Sequence, residues 1–281
     1  MKMRRRKKMG VWQVFVRVYA LLFSLFIVFP YFVMFVGSFK NLDEIYRIPA
    51  TLLPKVWRFS NYIDVWKAVP LAIYFRNSAI IAIGSTVLDI ICAVPAAYAM
   101  ARMHFPGKKT MMAIVIMTQM FSPVVMMVGI YKIMSFYHLT NSLVGIIFLV
   151  AAFNLAFSIW LLRGFFETIS MELEEAALID GCGRVQAMVR IVLPLAAPGI
   201  VTAAIFVFIA GWNDYMMSLI LIGATDLKSI NLGIRAFFGY TGTEWWYVFA
   251  ISLMATAPIL LFFRFIERYM TGGLTAGGVK G

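Results

Sequence analysis

Two acidic residues, Asp89 and Asp214, stand inside apolar runs. An ionised carboxylate is costly there, and by default marks a functional group. Asp214 closes the triplet Trp212-Asn213-Asp214. An aromatic face that stacks on a pyranose, beside an amide and a carboxylate that bond hydroxyls, could line a sugar path. A polar clamp between helices is the structural alternative for the same triplet. Asp89 reads as structural, paired to Gln119 or facing water within a helix bundle. His104, His138, Cys92 and Cys182 are scattered and make no metal set. No nucleophile–base pair stands out, and no Gly-x4-Gly-Lys-Ser/Thr phosphate loop occurs. The residue pattern therefore points to a non-catalytic chain with no cofactor of its own.

The elements that position these residues are membrane helices. Of 281 residues, 62% are hydrophobic and 14% charged, against about 25% charged in soluble domains. One soluble core cannot hide that much apolar surface. An ordinary cytosolic enzyme, a disordered chain and a disulfide-rich secreted module are all excluded. Six stretches reach the ~20 apolar residues needed to span a bilayer: Val18–Val36, Ala79–Met100, Met111–Tyr131, Leu143–Leu162, Ile200–Ile222 and Tyr247–Phe265. The first follows a basic leader, as a signal peptide would. It is longer than a signal core and lacks a small-x-small cleavage site, so it reads as a retained anchor.

The net charge of +12 is gathered at Lys2, Arg4, Arg5, Arg6, Lys7 and Lys8 and at the flanks of the spans. That distribution sets topology rather than binding nucleic acid. With the N-terminus inside, cytoplasmic segments hold 16 of the 25 Lys and Arg, which places both termini in the cytoplasm. The organisation expected is a cytoplasmic N-terminus over 1–17, a transmembrane domain over 18–266 and a cytoplasmic tail over 267–281. Pro30, Pro95, Pro123, Gly129, Gly211 and Pro258 fall within the spans, as kinks for gating or as ordinary membrane-helix tolerance.

The long cytoplasmic loop, 164–199, carries a pattern of its own. Ser170 can cap a short helix with Glu172 and Glu174 in its first turn. Gly181 and Gly183 would supply the positive φ of a sharp reversal. Val185, Met188, Val189 and Val192 recur on one face of a second helix, which Pro194 ends. Glu175-Ala176-Ala177, three residues, Gly181, nine residues, Ile191, one residue, Leu193-Pro194 resembles the EAA loop of ATP-binding-cassette importer permeases.

Other segments resemble the six-span second membrane subunit of the maltose-type carbohydrate permeases. They are Ala96-Ala97-Tyr98-Ala99-Met100-Ala101-Arg102 with Phe105-Pro106-Gly107-Lys108, then Gly211-Trp212-Asn213-Asp214-Tyr215, and the tail from Gly273 to Gly281. Cys182, where that family usually has a small residue such as alanine, and Gly129-Ile130-Tyr131, where proline often comes first, depart from the pattern.

The resemblance implies an all-α membrane protein with six transmembrane helices and a cytoplasmic coupling helix, the type I importer permease fold. It implies a permease subunit of an ATP-driven, binding-protein-dependent oligosaccharide importer, in a bacterial or archaeal cytoplasmic membrane. Glu175, Ala176, Ala177, Asp180, Gly181, Ile191, Leu193 and Pro194 would then meet an ATPase subunit. The partners implied are a second homologous permease, two ATPase subunits holding ATP and Mg, and an extracytoplasmic sugar-binding protein. That protein would touch the external segment around Ala224–Tyr240, while Trp245 and Trp246 read as an interfacial belt. The alternative is a stand-alone ion-coupled carrier that uses Asp89 and Asp214. It accounts for the acids but not for the loop.

Overall fold

The computed structural model describes residues 11–239 and 242–276, with side chains except at 11, 13, 14 and 265–276. The basic cluster Lys2–Lys8 and the last five residues of the tail lie outside the described residues. In chain order the helices are α1 (Val11–Gly37), α2 (Leu42–Ile45), α3 (Asn61–Ala68), α4 (Leu71–Arg102), α5 (Lys108–Thr118), α6 (Pro123–Phe136) and α7 (Leu143–Thr168). Next come α8 (Met171–Ile179), α9 (Arg184–Ala187), a π turn (Met188–Val192), α10 (Leu193–Leu195), α11 (Ala197–Trp212), α12 (Met216–Leu221) and α13 (Ile230–Gly233). A two-residue hairpin, β1 (Phe238–Gly239) and β2 (Gly242–Thr243), precedes α14 (Trp245–Ala276).

Among the described residues four helices are long and apolar enough to cross a membrane: α1, α4, α7 and α14. Pro30, Pro95 and Pro258 lie inside three of them, so these prolines do not end their helices. The other two stretches differ from the sequence expectation. Met111–Tyr131 is two helices, α5 and α6, because Pro123 sits in the first turn of α6 and Ser122 before it is extended. A residue preceding proline is driven out of the helical region. The fifth stretch ends as helix at Trp212, and the chain resumes as α12. Its other end meets the segment Arg184–Leu195 at a bend of 78°.

The chain divides into two compact units, one of residues 1–68 and 236–254, the other of 69–235 and 255–281. In the first, every side chain of α1 from Phe15 to Val33 is exposed. An apolar helix bare on all sides is suited to lipid or to another protein, not to water. Only the end of α1 is buried, at Val36 and Gly37, and just beyond it Phe39 packs its ring among Trp57, Phe59 and Tyr62.

The second unit is built on α4, α7 and α11. One cluster joins Ala93, Ala97 and Met100 of α4 to Ile159, Leu162 and Phe166 of α7 and Ala203 of α11. The other gathers Ile81, Ile130, Met134, Ile146, Met217 and Leu221, so both short helices that follow a break, α6 and α12, are seated on α4 and α7. Gly211 explains how closely α4 and α11 approach. A Cβ there would lie 2.7 Å from Ser85 Oγ and 2.9 Å from Ala82 Cα, and backbone cannot yield as a flexible side chain can. Gly211→Ala should lower stability by about 1–3 kcal/mol, the usual cost of overpacking, read as a fall in the thermal midpoint in detergent. An unchanged midpoint would mean that the approach is not rigid.

Candidate functional site

The loop between α7 and α11 begins where Ser170 accepts a hydrogen bond from the Glu172 N–H at 3.3 Å, capping α8 as its sequence suggests. The far end of α8 is closed by a pair of reversed hydrogen bonds. Gly181 N–H donates to the Leu178 carbonyl at 3.1 Å, and Cys182 N–H to the Ala177 carbonyl at 3.0 Å. This is the Schellman arrangement, which requires a left-handed residue after the cap. Gly181 supplies it at φ +88°, whereas Gly183 is ordinary extended backbone at φ −72°. The reversal thus needs one glycine, not the two expected.

The second half of the loop also departs from expectation. Leu193 N–H reaches back five residues to the Met188 carbonyl, a π turn rather than a continuing α-helix. Pro194 has no N–H to give and does not end the helix; it lies within the turn Leu193–Leu195, and the bend follows it. The extra residue rotates the faces. Val192 and Ala187 turn inward and are buried, while Val185 is 72% and Val189 51% exposed. The apolar stripe read from the sequence is therefore split between the core and an open surface.

Two charged residues fasten this loop to the spans. Arg102 ends α4, and its Nε meets Glu174 Oε1 of α8 at 2.5 Å, both side chains being about nine-tenths buried. Arg102 Nη2 donates to the Ile169 carbonyl at 2.7 Å, and the Tyr98 hydroxyl donates to Glu174 Oε2 at 2.8 Å. Tyr98 and Arg102 are four residues apart on α4 and so share a helix face. Sequence reading placed Glu174 only in the positive first turn of α8 and left Tyr98 and Arg102 without a task. The signal available was the Tyr-x3-Arg spacing at a helix end.

The remaining loop residues named from the sequence fall on two sides. Glu175, Ala176, Asp180, Gly181 and Pro194 are exposed, Ala177 is buried, and Ile191 and Leu193 are half-buried. Glu175 and Ala176 thus border the turn at Gly181 on an open face, backed by Ala177 and the Glu174 clamp.

The Trp212-Asn213-Asp214 triplet is not gathered into one site. Trp212 is buried, lies stacked near Phe208, and donates its indole N–H to the Ala255 carbonyl at 3.1 Å. Asn213 is exposed. Asp214 uses both carboxylate oxygens to cap α12, accepting from the N–H of Met217 at 3.1 Å and from the N–H and hydroxyl of Ser218 at 3.0 and 2.8 Å. Asp214→Ala should therefore cost about 1 kcal/mol, the worth of a helix cap, and leave the half-saturating substrate concentration unchanged. A raised half-saturation at unchanged stability would instead give Asp214 a place on the transport path.

Asp89 of α4 and Ser158 of α7 are both fully buried, and among the described residues neither the Asp89 carboxylate nor the Ser158 hydroxyl has a hydrogen-bond partner. Gln119 does not pair with it, since its Nε2 donates to the Phe153 carbonyl at 3.0 Å. Among the described residues no group of three or more His, Cys, Asp or Glu could hold a metal ion.

The chain is similar to known proteins over most of its length. Residues 93–273 match the family described as the binding-protein-dependent transport system inner membrane component. The chain belongs to this permease family. The permease is 33% identical over 262 residues to the inner membrane ABC transporter permease protein YcjP of Escherichia coli, covering 92% of this chain and 94% of that one. It is 33% identical over 255 residues to the diacetylchitobiose uptake system permease protein DasC of Streptomyces coelicolor, covering 91% and 92%. In fold, the permease resembles a chain from the crystal structure of a bacterial ABC transporter involved in the import of the acidic polysaccharide alginate. That match has a TM-score of 0.79 at 23% identity, covering 94% of this chain and 99% of that one. The permease is accordingly a multi-pass membrane protein, and the family match takes in the clamp, the loop and the fifth stretch together.

Proposed function

We propose that this permease is one of two membrane subunits of an ATP-driven importer of oligosaccharides and that its α8–α10 loop is the seat of an ATP-hydrolysing partner. The observation that carries this reading is the exposed turn at Gly181, flanked by Glu175 and Ala176 and pinned from behind by Glu174. A small-residue turn on an open face lets a partner approach the backbone closely, and the free Glu175 carboxylate suits a basic rim. ATP and Mg would be held by that partner, since the chain carries no phosphate-cradling loop. Uptake of diacetylchitobiose by one relative and of alginate by the assembly of a structural neighbour supports a carbohydrate as cargo.

The mechanism follows from rigid connections. Closure of two ATPase subunits on each other would displace α8. The Glu174–Arg102 contact would pass that displacement to α4, and the bend at Ala196 would pass it to α11. Rocking of these packed spans against a second, homologous permease would then open a shared path alternately to each side. An extracytoplasmic sugar-binding protein would deliver cargo, and the charge distribution supports a cytoplasmic location for both termini in a bacterial or archaeal cell. The Asp89 and Asp214 carrier reading loses its second acid, which is committed to a helix cap.

Affinity purification of the tagged permease from its native membrane tests the proposal. A second permease and a nucleotide-binding polypeptide should co-purify, and uptake should stop on ATP depletion. A chain recovered alone, with uptake abolished by an uncoupler but not by ATP depletion, would overturn it.

A further inference from the structure

The unit formed by residues 1–68 and 236–254 contains a cavity remote in sequence from the coupling loop. It has a volume of about 480 Å³ and lies between the end of α1 and the start of α14, with Val33, Leu52, Trp245 and Phe249 among its walls and Lys40 and Thr51 as its polar end. Lys40 is only 8% exposed. Its Nζ donates to the Thr51 carbonyl, and no ion pair forms within 4 Å of it among the described residues. The Thr51 hydroxyl is buried and has no partner among the described residues. An ammonium has three N–H donors, and a buried cation that contacts no carboxylate is costly. The nearby buried Glu44 makes no ion pair with it and accepts instead from the Lys55 N–H. A cavity that contains such a cation and an unsatisfied hydroxyl is built for an anionic group.

The position of the cavity narrows the class of ligand. Gly37 ends one membrane-spanning helix and Trp245 opens another, so the cavity sits where both helices leave the apolar layer, at the depth favoured by tryptophan. A ring carbon of Phe249 would lie 2.6 Å from a Cβ at Gly37, so the two helix ends are in close contact. A small hydrophilic anion would leave Val33, Leu52 and Phe249 facing water, whereas an amphiphile would cover them. We propose that this cavity binds the phosphate headgroup of an anionic membrane lipid, with Lys40 and the Thr51 hydroxyl on the phosphate and the apolar walls against the glycerol and upper acyl chain.

The test uses the whole transporter, reconstituted in nanodiscs of phosphatidylglycerol or of phosphatidylcholine and examined by native mass spectrometry for retained lipid. Wild type should retain phosphatidylglycerol about tenfold more tightly than Lys40→Met, as expected for loss of a charge-assisted hydrogen bond. Lys40→Arg should retain it, and phosphatidylcholine should be held no better by wild type than by Lys40→Met. If Lys40→Met fails to assemble, Thr51→Val keeps the cation and should still weaken retention severalfold. Millimolar glycerol 1-phosphate should not displace the lipid. Equal retention by wild type and both Lys40→Met and Thr51→Val, or displacement by the soluble phosphate, would overturn the proposal.

Discussion

Glu174→Ala should uncouple transport from ATP hydrolysis while leaving the permease inserted in the membrane. The substitution removes the carboxylate that meets Arg102 Nε and accepts from the Tyr98 hydroxyl. Arg102 would be left 8% exposed with the Ile169 carbonyl as its remaining partner. Breaking a buried pair by deleting one member costs about 3–5 kcal/mol, because the surviving charge stays buried. That cost falls on the seating of α8 against the end of α4, not on the packing of α4, α7 and α11. Hydrogen exchange should accordingly rise across 171–187 and remain low in the spans. Tyr98→Phe removes one hydrogen bond and leaves the ion pair, so its effect should be about 1 kcal/mol. If Glu174→Ala exchanges and couples like wild type, the clamp does not hold the loop.

Gly181→Val should produce a comparable loss of coupling for a different reason. A Cβ at this position meets no atom within 4 Å, so packing does not oppose the change. Conformation does, because φ is +88°. The left-handed region costs an ordinary residue about 1–2 kcal/mol, and a β-branched one is a true outlier there. The valine chain would relieve that strain by abandoning the two reversed hydrogen bonds from Gly181 and Cys182, which redirects α9 away from α8. Gly181→Asn is the discriminating control, since asparagine tolerates the left-handed region. ATP hydrolysis stimulated by a cargo-loaded binding protein should fall at least tenfold in Gly181→Val and much less in Gly181→Asn. Equal losses in the two variants would show that side-chain bulk at a docked surface, not backbone conformation, is at fault.

What was legible in the sequence depended on whether a local rule governed it. The apolar stretches announced α1, α4, α7 and α14 because helix length and hydropathy are properties of a continuous segment. Ser170 and Gly181 were legible for the same reason: each satisfies a neighbour's backbone within a few residues. Pro123 reads in sequence like Pro30, Pro95 and Pro258, as a gating kink or a tolerated proline, but it opens a new helix while those three stay inside theirs. Whether a proline bends, ends or starts a helix is decided by the packing of flanking turns, such as the seating of Ile130 and Met134 on α7. The clamp was hidden because its halves lie 72 residues apart, at Arg102 and Glu174. Asp214 left two readings open, a sugar path and a polar clamp, and here the deciding contacts are local. Its polarity inside an apolar run suits either, while its oxygens serve the N–H groups of Met217 and Ser218 only three and four residues on.

The loop from Ser170 to Pro194 is the proposed seat of the ATP-hydrolysing partner. Val185, 72% exposed on the open side of that loop, can report on it directly. A photoactivatable residue placed at Val185, irradiated in the native membrane, should form an adduct with a nucleotide-binding polypeptide. The same residue placed at Trp160, which is 54% exposed on α7, should not. Adducts of the Val185 probe with lipid alone would contradict the account.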